Sequence, residues 1–94
     1  MTHGRATYEL VVTPPAVRAI RIGLPEAVAT AVVEFLAGAL LENPHRVGKL
    51  LRGDLAGVYA ARRGTYRVLY RINESSVEVI VLRIEHRLDA YRSR

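Results

Sequence analysis

Arg62-Arg63-Gly64-Thr65-Tyr66-Arg67-Val68-Leu69-Tyr70-Arg71 reads as two β-strands folded back on each other at a glycine turn. Because side chains alternate along a strand, Tyr66, Val68, Tyr70 and Ile72 fall on one face, and Arg67, Leu69 and Arg71 on the other. The first set is expected to pack against helices, the second to face a groove or water. Four arginines within ten residues give the hairpin a chemistry. Guanidinium forks match phosphate oxygens bidentately and stay charged at physiological pH, and tyrosine rings stack on bases, so RNA is the expected partner.

Downstream, Asn73-Glu74-Ser75-Ser76 reads as a turn into a third strand, Val77 to Glu85. Its Val79-Ile80-Val81-Leu82 run has no polar face, as expected of a central strand buried on both sides. Upstream, Val58 to Arg63 is the first strand of this antiparallel meander, preceded by a connecting loop from Asn43-Pro44 to Gly57 with one short helical turn. Before it, Pro25 and Glu26 open a helix that runs to about Glu42, with Val28, Val32, Phe35 and Ala39 as its core stripe. The other face mixes Glu26, Thr30 and Glu34 with Val33, Ala37, Leu40 and Leu41, so loop residues or a protein partner should cover it. Tyr8 to Thr13 is a first strand, and Pro14-Pro15 opens a short helix through Val17 and Ile20 that Gly23 stops. The expected fold class is α/β of the α+β kind: one small domain over residues 1–94, β-α-α-β-β-β, two N-terminal helices packed on an antiparallel sheet.

Ninety-four residues, half of them apolar, suffice for one core without staples. There is no cysteine, so disulfides and thiolate metal sites are excluded. Neither a membrane-length apolar run nor a signal-peptide core is visible, and a soluble, cytoplasmic protein is expected. Thirteen of the fourteen basic residues are arginine, and charge is lopsided: residues 1–45 carry a net −1, residues 46–94 a net +6. The basic half is the expected functional half.

His3, His45 and His86 lie far apart in sequence and outside any metal-binding spacing, so no metal is expected. Ser75, Ser76 and Ser93 lack a nucleophile-elbow context, and no glycine-rich phosphate loop occurs, so no nucleotide cofactor is indicated. What remains is the arginine and tyrosine constellation, within which Tyr66 and Tyr70 are expected to be core.

Three segments carry a family resemblance: Lys49-Leu50-Leu51-Arg52-Gly53-Asp54-Leu55-Ala56-Gly57, Ala61 to Tyr70 with its R-x-G-x-Y-R pattern, and Ile84-Glu85-His86-Arg87-Leu88-Asp89-Ala90-Tyr91-Arg92. Together they resemble the RelE branch of the RelE/ParE toxin superfamily over nearly the whole chain. The resemblance implies a fold like small microbial ribonucleases, neutralisation by a cognate antitoxin, and cleavage of mRNA in the ribosomal A site to inhibit translation. In members that cut RNA, the ribose 2′-hydroxyl attacks the adjacent phosphate and leaves a cyclic phosphate. Carried over by position, Arg67 matches the arginine that binds the scissile phosphate, Arg87 or His86 a general acid or second phosphate ligand, Tyr91 the base-stacking tyrosine, and Arg62 a basic strand position. Lys49, Arg63, Arg52 and Arg71 extend the phosphate-binding set.

General chemistry fits these roles. Fixed cations stabilise a pentavalent phosphorane more than the ground state. An arginine does not readily give up a proton, whereas a histidine can protonate a leaving 5′-oxygen. One departure stands out: the best-known members place two lysines on the strand before the tyrosine-arginine pair, and Tyr59-Ala60-Ala61-Arg62-Arg63 has none. Glu85, His86 or an arginine would then serve as base. Two alternatives stay open, a ParE-like inhibitor of DNA gyrase and a non-catalytic RNA-binding module.

Overall fold

In the computed structural model, residues 7–87 are described, and they build one mixed five-stranded sheet with helices against one face. In chain order the elements are β1 (Glu9–Val12), α1 (Pro14–Arg18), α2 (Glu26–Ala37), α3 (Ala39–Glu42), α4 (Pro44–Val47), β2 (Lys49–Leu50), β3 (Tyr59–Arg63), β4 (Tyr66–Asn73) and β5 (Glu78–His86). The sheet order is β1-β5-β4-β3-β2. The meander expected from the sequence is present: β3, β4 and β5 are antiparallel neighbours, and Gly64-Thr65 is the two-residue turn between the first two. Gly64 has φ +55°, which a residue without Cβ adopts without penalty.

Two features of the sheet go beyond the antiparallel reading. β1 pairs in parallel with β5, Leu10 opposite Val79 and Val12 opposite Val81, which makes β5 an interior strand. β2, two residues inside the expected connecting loop, pairs antiparallel with β3, and Gly53–Leu55 forms a single tight turn after it.

The first helical segment also differs in detail. α1 ends at Arg18, and Ala19–Gly23 continues as a wider turn closed by Leu24 N–H donating to Ala19 C=O at 2.9 Å. The long helix breaks at Gly38, whose φ of −116° and ψ of −99° leave helical geometry. The break changes the fate of two leucines. A continuous helix would put Leu40 and Leu41 on the outer, half-apolar face; after the turn at Gly38 both are buried in the core. Val33 and Ala37 stay exposed on that face.

The core lies between the helices and one face of the sheet. Val32, Phe35, Leu36 and Leu40 meet Tyr66, Val68 and Tyr70 of β4 and Val79, Val81 and Ile84 of β5. Tyr66 and Tyr70 are core residues, as the alternation predicts. The Tyr70 hydroxyl donates to Pro44 C=O at 2.6 Å, tying α4 to the sheet, and burial pushes its pKa up to about 12. Any Cβ at Gly48 would collide with that hydroxyl, so the approach of α4 to β4 requires glycine there.

The open face breaks the simple alternation at one point. Leu69 is buried although it shares a face with Arg67, next to a register shift between Leu69 and Tyr70. On β5, Val79 and Val81 are fully buried and Ile80 and Leu82 half-buried, so both faces of this interior strand are at least partly covered. No helix among the described residues is long and apolar enough to cross a membrane.

Candidate active site

The site grows out of strand register. The tight turn at Gly64-Thr65 places Arg62 directly opposite Arg67, and β4–β5 pairing places Arg67 directly opposite Glu85. Directly opposed side chains stand about 5 Å apart at Cβ, so three strands deliver two guanidiniums and a carboxylate in a row. Opposed like charges destabilise a sheet, and Glu85 offsets this by engaging Arg67. Arg67 donates to Glu85 Oε1 through Nε at 3.0 Å and through Nη2 at 2.5 Å. The other carboxylate oxygen lies 3.6 Å from Arg83 Nε. The Arg67 and Glu85 side chains keep 40% and 29% of their surface in solvent, so the pair is open to competition by an anion.

Around this row lies a cleft of about 320 Å³, lined by Arg62, Gly64, Thr65, Tyr66, Arg67, Glu85, His86 and Arg87. That volume is at the small end of ligand clefts, roughly 300–1,000 Å³. His86 faces Tyr66 in register and is 5% exposed, the one buried polar side chain among the described residues. Arg87 is exposed, and its backbone N–H donates to Thr65 C=O at 2.7 Å, which fixes the end of β5 against the hairpin turn. Five sequence-predicted residues, Arg62, Arg67, Glu85, His86 and Arg87, thus share one cleft. Tyr91 lies outside the described residues.

The wider phosphate-binding set divides. Lys49 lines a second groove that adjoins the cleft through Arg62 and Arg67. Arg63 points to the helix side, its guanidinium 4.5 Å from the centre of the Phe35 ring, in cation–π contact. Arg52 and Arg71 are exposed and line neither the cleft nor that groove. His45 is bound elsewhere, its Nε2 2.5 Å from Glu74 Oε2, and no group of three potential metal ligands converges among the described residues.

Sequence reasoning missed Thr65, Arg46 and Arg83. Thr65 acts through its backbone carbonyl, which leaves no side-chain signal. Arg46 sits in a four-residue helix too short for periodicity, and Arg83 gains meaning only through the orientation of Glu85.

The chemistry available is that of an anion cleft. Arg62, Arg67 and Arg87 bring guanidiniums from three different places in the chain, and a carboxylate and an imidazole stand beside them. Those are the parts needed to bind a phosphodiester and move protons around it.

Residues 18–91 match the family described as ParE toxin of type II toxin-antitoxin system, parDE. Toxin RelG of Mycobacterium tuberculosis is 55% identical over 69 residues, spanning 73% of this chain and 79% of the relative. Toxin RelE of the same organism is 47% identical over 85 residues, 90% of this chain and 87% of the relative. Among solved structures, the toxin-antitoxin complex RelBE2 from Mycobacterium tuberculosis superposes with a TM-score of 0.84 at 48% identity, covering 87% of this chain and all of that one.

Proposed function

This chain belongs to the RelE/ParE superfamily of type II toxins, and from that premise we propose that it is a RelE-type endoribonuclease that cuts mRNA on the ribosome and is neutralised by a cognate antitoxin. The observation that carries the reading is the convergence of Arg62, Arg67, Glu85, His86 and Arg87 on one small cleft. Similarity to toxins named RelE and RelG supports it, and so does the likeness to a toxin solved with its antitoxin.

In the proposed reaction the ribose 2′-oxygen attacks the adjacent phosphorus, its proton passing to the Glu85 carboxylate. The bond from phosphorus to the 5′-oxygen breaks, and His86 protonates that oxygen. The products are a 2′,3′-cyclic phosphate and a free 5′-hydroxyl. Arg67 carries the extra negative charge of the phosphorane, aided by Arg62 and Arg87; preorganised cations of this kind gain most where charge develops. Glu85 engages the Nε–H and one N–H of Nη2 of Arg67, which leaves both N–H groups of Nη1 and the second of Nη2 to donate to phosphate. With no lysine on β3, the carboxylate beside Arg67 is the base the geometry favours. Tyr91 is proposed to orient a base by stacking. Ribosomal positioning would supply the remaining rate.

A second reading, inhibition of DNA gyrase, draws on the parDE description of the matching family. It makes no use of the cleft. End analysis of a reporter message after induction tests both readings: new 5′-hydroxyl ends at defined codon positions are expected, with gyrase supercoiling activity unchanged by purified protein. An intact message together with loss of supercoiling would select the gyrase reading.

A further inference from the structure

Away from the cleft, the outer surface of the helices carries a knob beside a hollow. Ile22 lies in the wide turn Ala19–Gly23, where the bond from Leu24 N–H to Ala19 C=O spans five residues rather than the four of an α-helix. Its side chain is 81% exposed, more than any other large apolar side chain among the described residues. A hollow of about 360 Å³ opens between that turn and α2, with Ile20, Leu24, Ala29 and Val33 as its apolar lining and Arg21 and Glu34 beside them. Residues 26, 29, 30, 33, 34 and 37 follow helical spacing, so α2 turns one continuous stripe outward. Val33 and Ala37 on that stripe stay exposed after the break at Gly38 has drawn Leu40 and Leu41 inward. Single exposed apolar residues are ordinary, whereas a projecting isoleucine next to an apolar hollow is a surface fitted for contact.

The charges around the hollow say what fits it. Arg18 and Arg21 belong to its α1 side, and Glu26 and Glu34 to α2. All four are exposed, and among the described residues none is in an ion pair. Two cations on one side and two anions on the other leave the patch neutral as a whole. A strongly acidic partner would be repelled by Glu26 and Glu34 as much as it is drawn to the arginines. A copy of the same patch, turned about a twofold axis, sets cations against anions on both sides of that axis.

We propose that this face pairs with the same face of a second copy of the chain, each Ile22 entering the other's hollow and Arg21 meeting the partner's Glu34. Knob and hollow lie on one patch, so the contact is isologous and closes at two chains. The pair is back to back. Helices cover one face of the sheet and Arg62, Arg67 and Glu85 stand on the other, so both clefts stay open. The pairing does not depend on what the cleft does.

Sedimentation equilibrium of the whole purified chain at rising concentration tests this, with folding of each variant checked by circular dichroism. A reversible monomer–dimer equilibrium is expected, with no larger species. Ile22→Lys, at a side chain too exposed to matter for folding, should raise the dissociation constant roughly a hundredfold, about tenfold for each of the two isoleucines withdrawn from a hollow. Arg21→Glu and Glu34→Arg each set like charges across the axis, so each alone should be monomeric where the wild type is dimeric. Mixed in equal amounts, these two variants should form a heterodimer, because both ion pairs return with their signs exchanged. A wild-type chain that stays monomeric would overturn the proposal, as would assembly beyond the dimer, a dimer unchanged by any of the three substitutions, or no association on mixing. A chain monomeric by itself, whose complex with a co-purified antitoxin weakens on Ile22→Lys, would overturn it too and assign the face to that partner.

Discussion

Tyr66 and Arg67 are chain neighbours with opposite surroundings, and they stand for the two faces of the sheet. On the helix side, Tyr66, Val68, Tyr70, Val79, Val81 and Ile84 are buried against Val32, Phe35, Leu36 and Leu40. On the open side, Lys49, Arg62, Arg67, Arg83 and Glu85 keep solvent contact, and one ion pair and its neighbour are all that join them. One face holds the fold; the other carries Arg62, Arg67 and Glu85 of the cleft. A strand with a two-residue period serves both, because every substitution lands on one side only. Exposed ion pairs contribute about 0–1 kcal/mol, whereas large-to-small changes in a core cost about 2–5 kcal/mol. Stability and activity are therefore expected to separate by face.

The largest separation is expected at Arg67. Arg67→Ala should lower single-turnover RNA cleavage on the order of 10²- to 10³-fold, the usual effect of removing a preorganised charge stabiliser. Its urea midpoint should stay close to wild type. Glu85→Gln sharpens the contrast within the open face: cleavage should fall by about 10²-fold or more as the base is lost. Binding of an uncleavable RNA should be no weaker, because a negative charge has left the cleft. Weaker binding would show that Glu85 serves to hold Arg67 in place.

On the other face, Leu40→Ala should cost about 2–5 kcal/mol in urea denaturation, with cleavage by the folded fraction intact. Loss of cleavage without loss of stability would break the division. Tyr70 supplies a pH version of the same experiment. Burial raises its pKa from 10.0 to about 12, so the folded state favours the neutral phenol. That contribution is fully present below pH 10 and is lost as pH climbs through about 12, with stability declining by up to about 3 kcal/mol across that window. Tyr70→Phe should flatten the alkaline decline, at a cost of about 1–3 kcal/mol for the unpaired Pro44 carbonyl. The smallest effect is expected at Arg63, which packs over Phe35. Arg63→Ala should lower stability by about 0.5–1 kcal/mol and leave cleavage unchanged, unlike Arg62→Ala.

Much of this division was legible in the residues. The alternation from Tyr66 to Ile72 is strong because a half-buried strand enforces it, and Gly64 marks the turn that sets Arg62 against Arg67. From that register, together with β5, the gathering of Arg62, Arg67, Glu85, His86 and Arg87 follows. What stayed hidden depends on distant parts of the chain. The parallel pairing of β1 with β5 joins residues about seventy apart, and local pattern carries no trace of it. Lys49–Leu50 is too short to show a period, so the strand that presents Lys49 read as loop. A single glycine within helix-compatible sequence did not reveal that Gly38 turns Leu40 and Leu41 inward. The groove around Arg46 is built jointly by the short helix and the short strand, neither of which leaves a periodic trace in the sequence.

The most direct measurement is primer extension on one reporter message in cells that express wild-type protein or Arg67→Ala, with folding of both checked by circular dichroism. Discrete cuts are predicted with wild type and none with the variant. Cuts at the same positions and the same rate with folded Arg67→Ala would contradict a phosphate site on the open face.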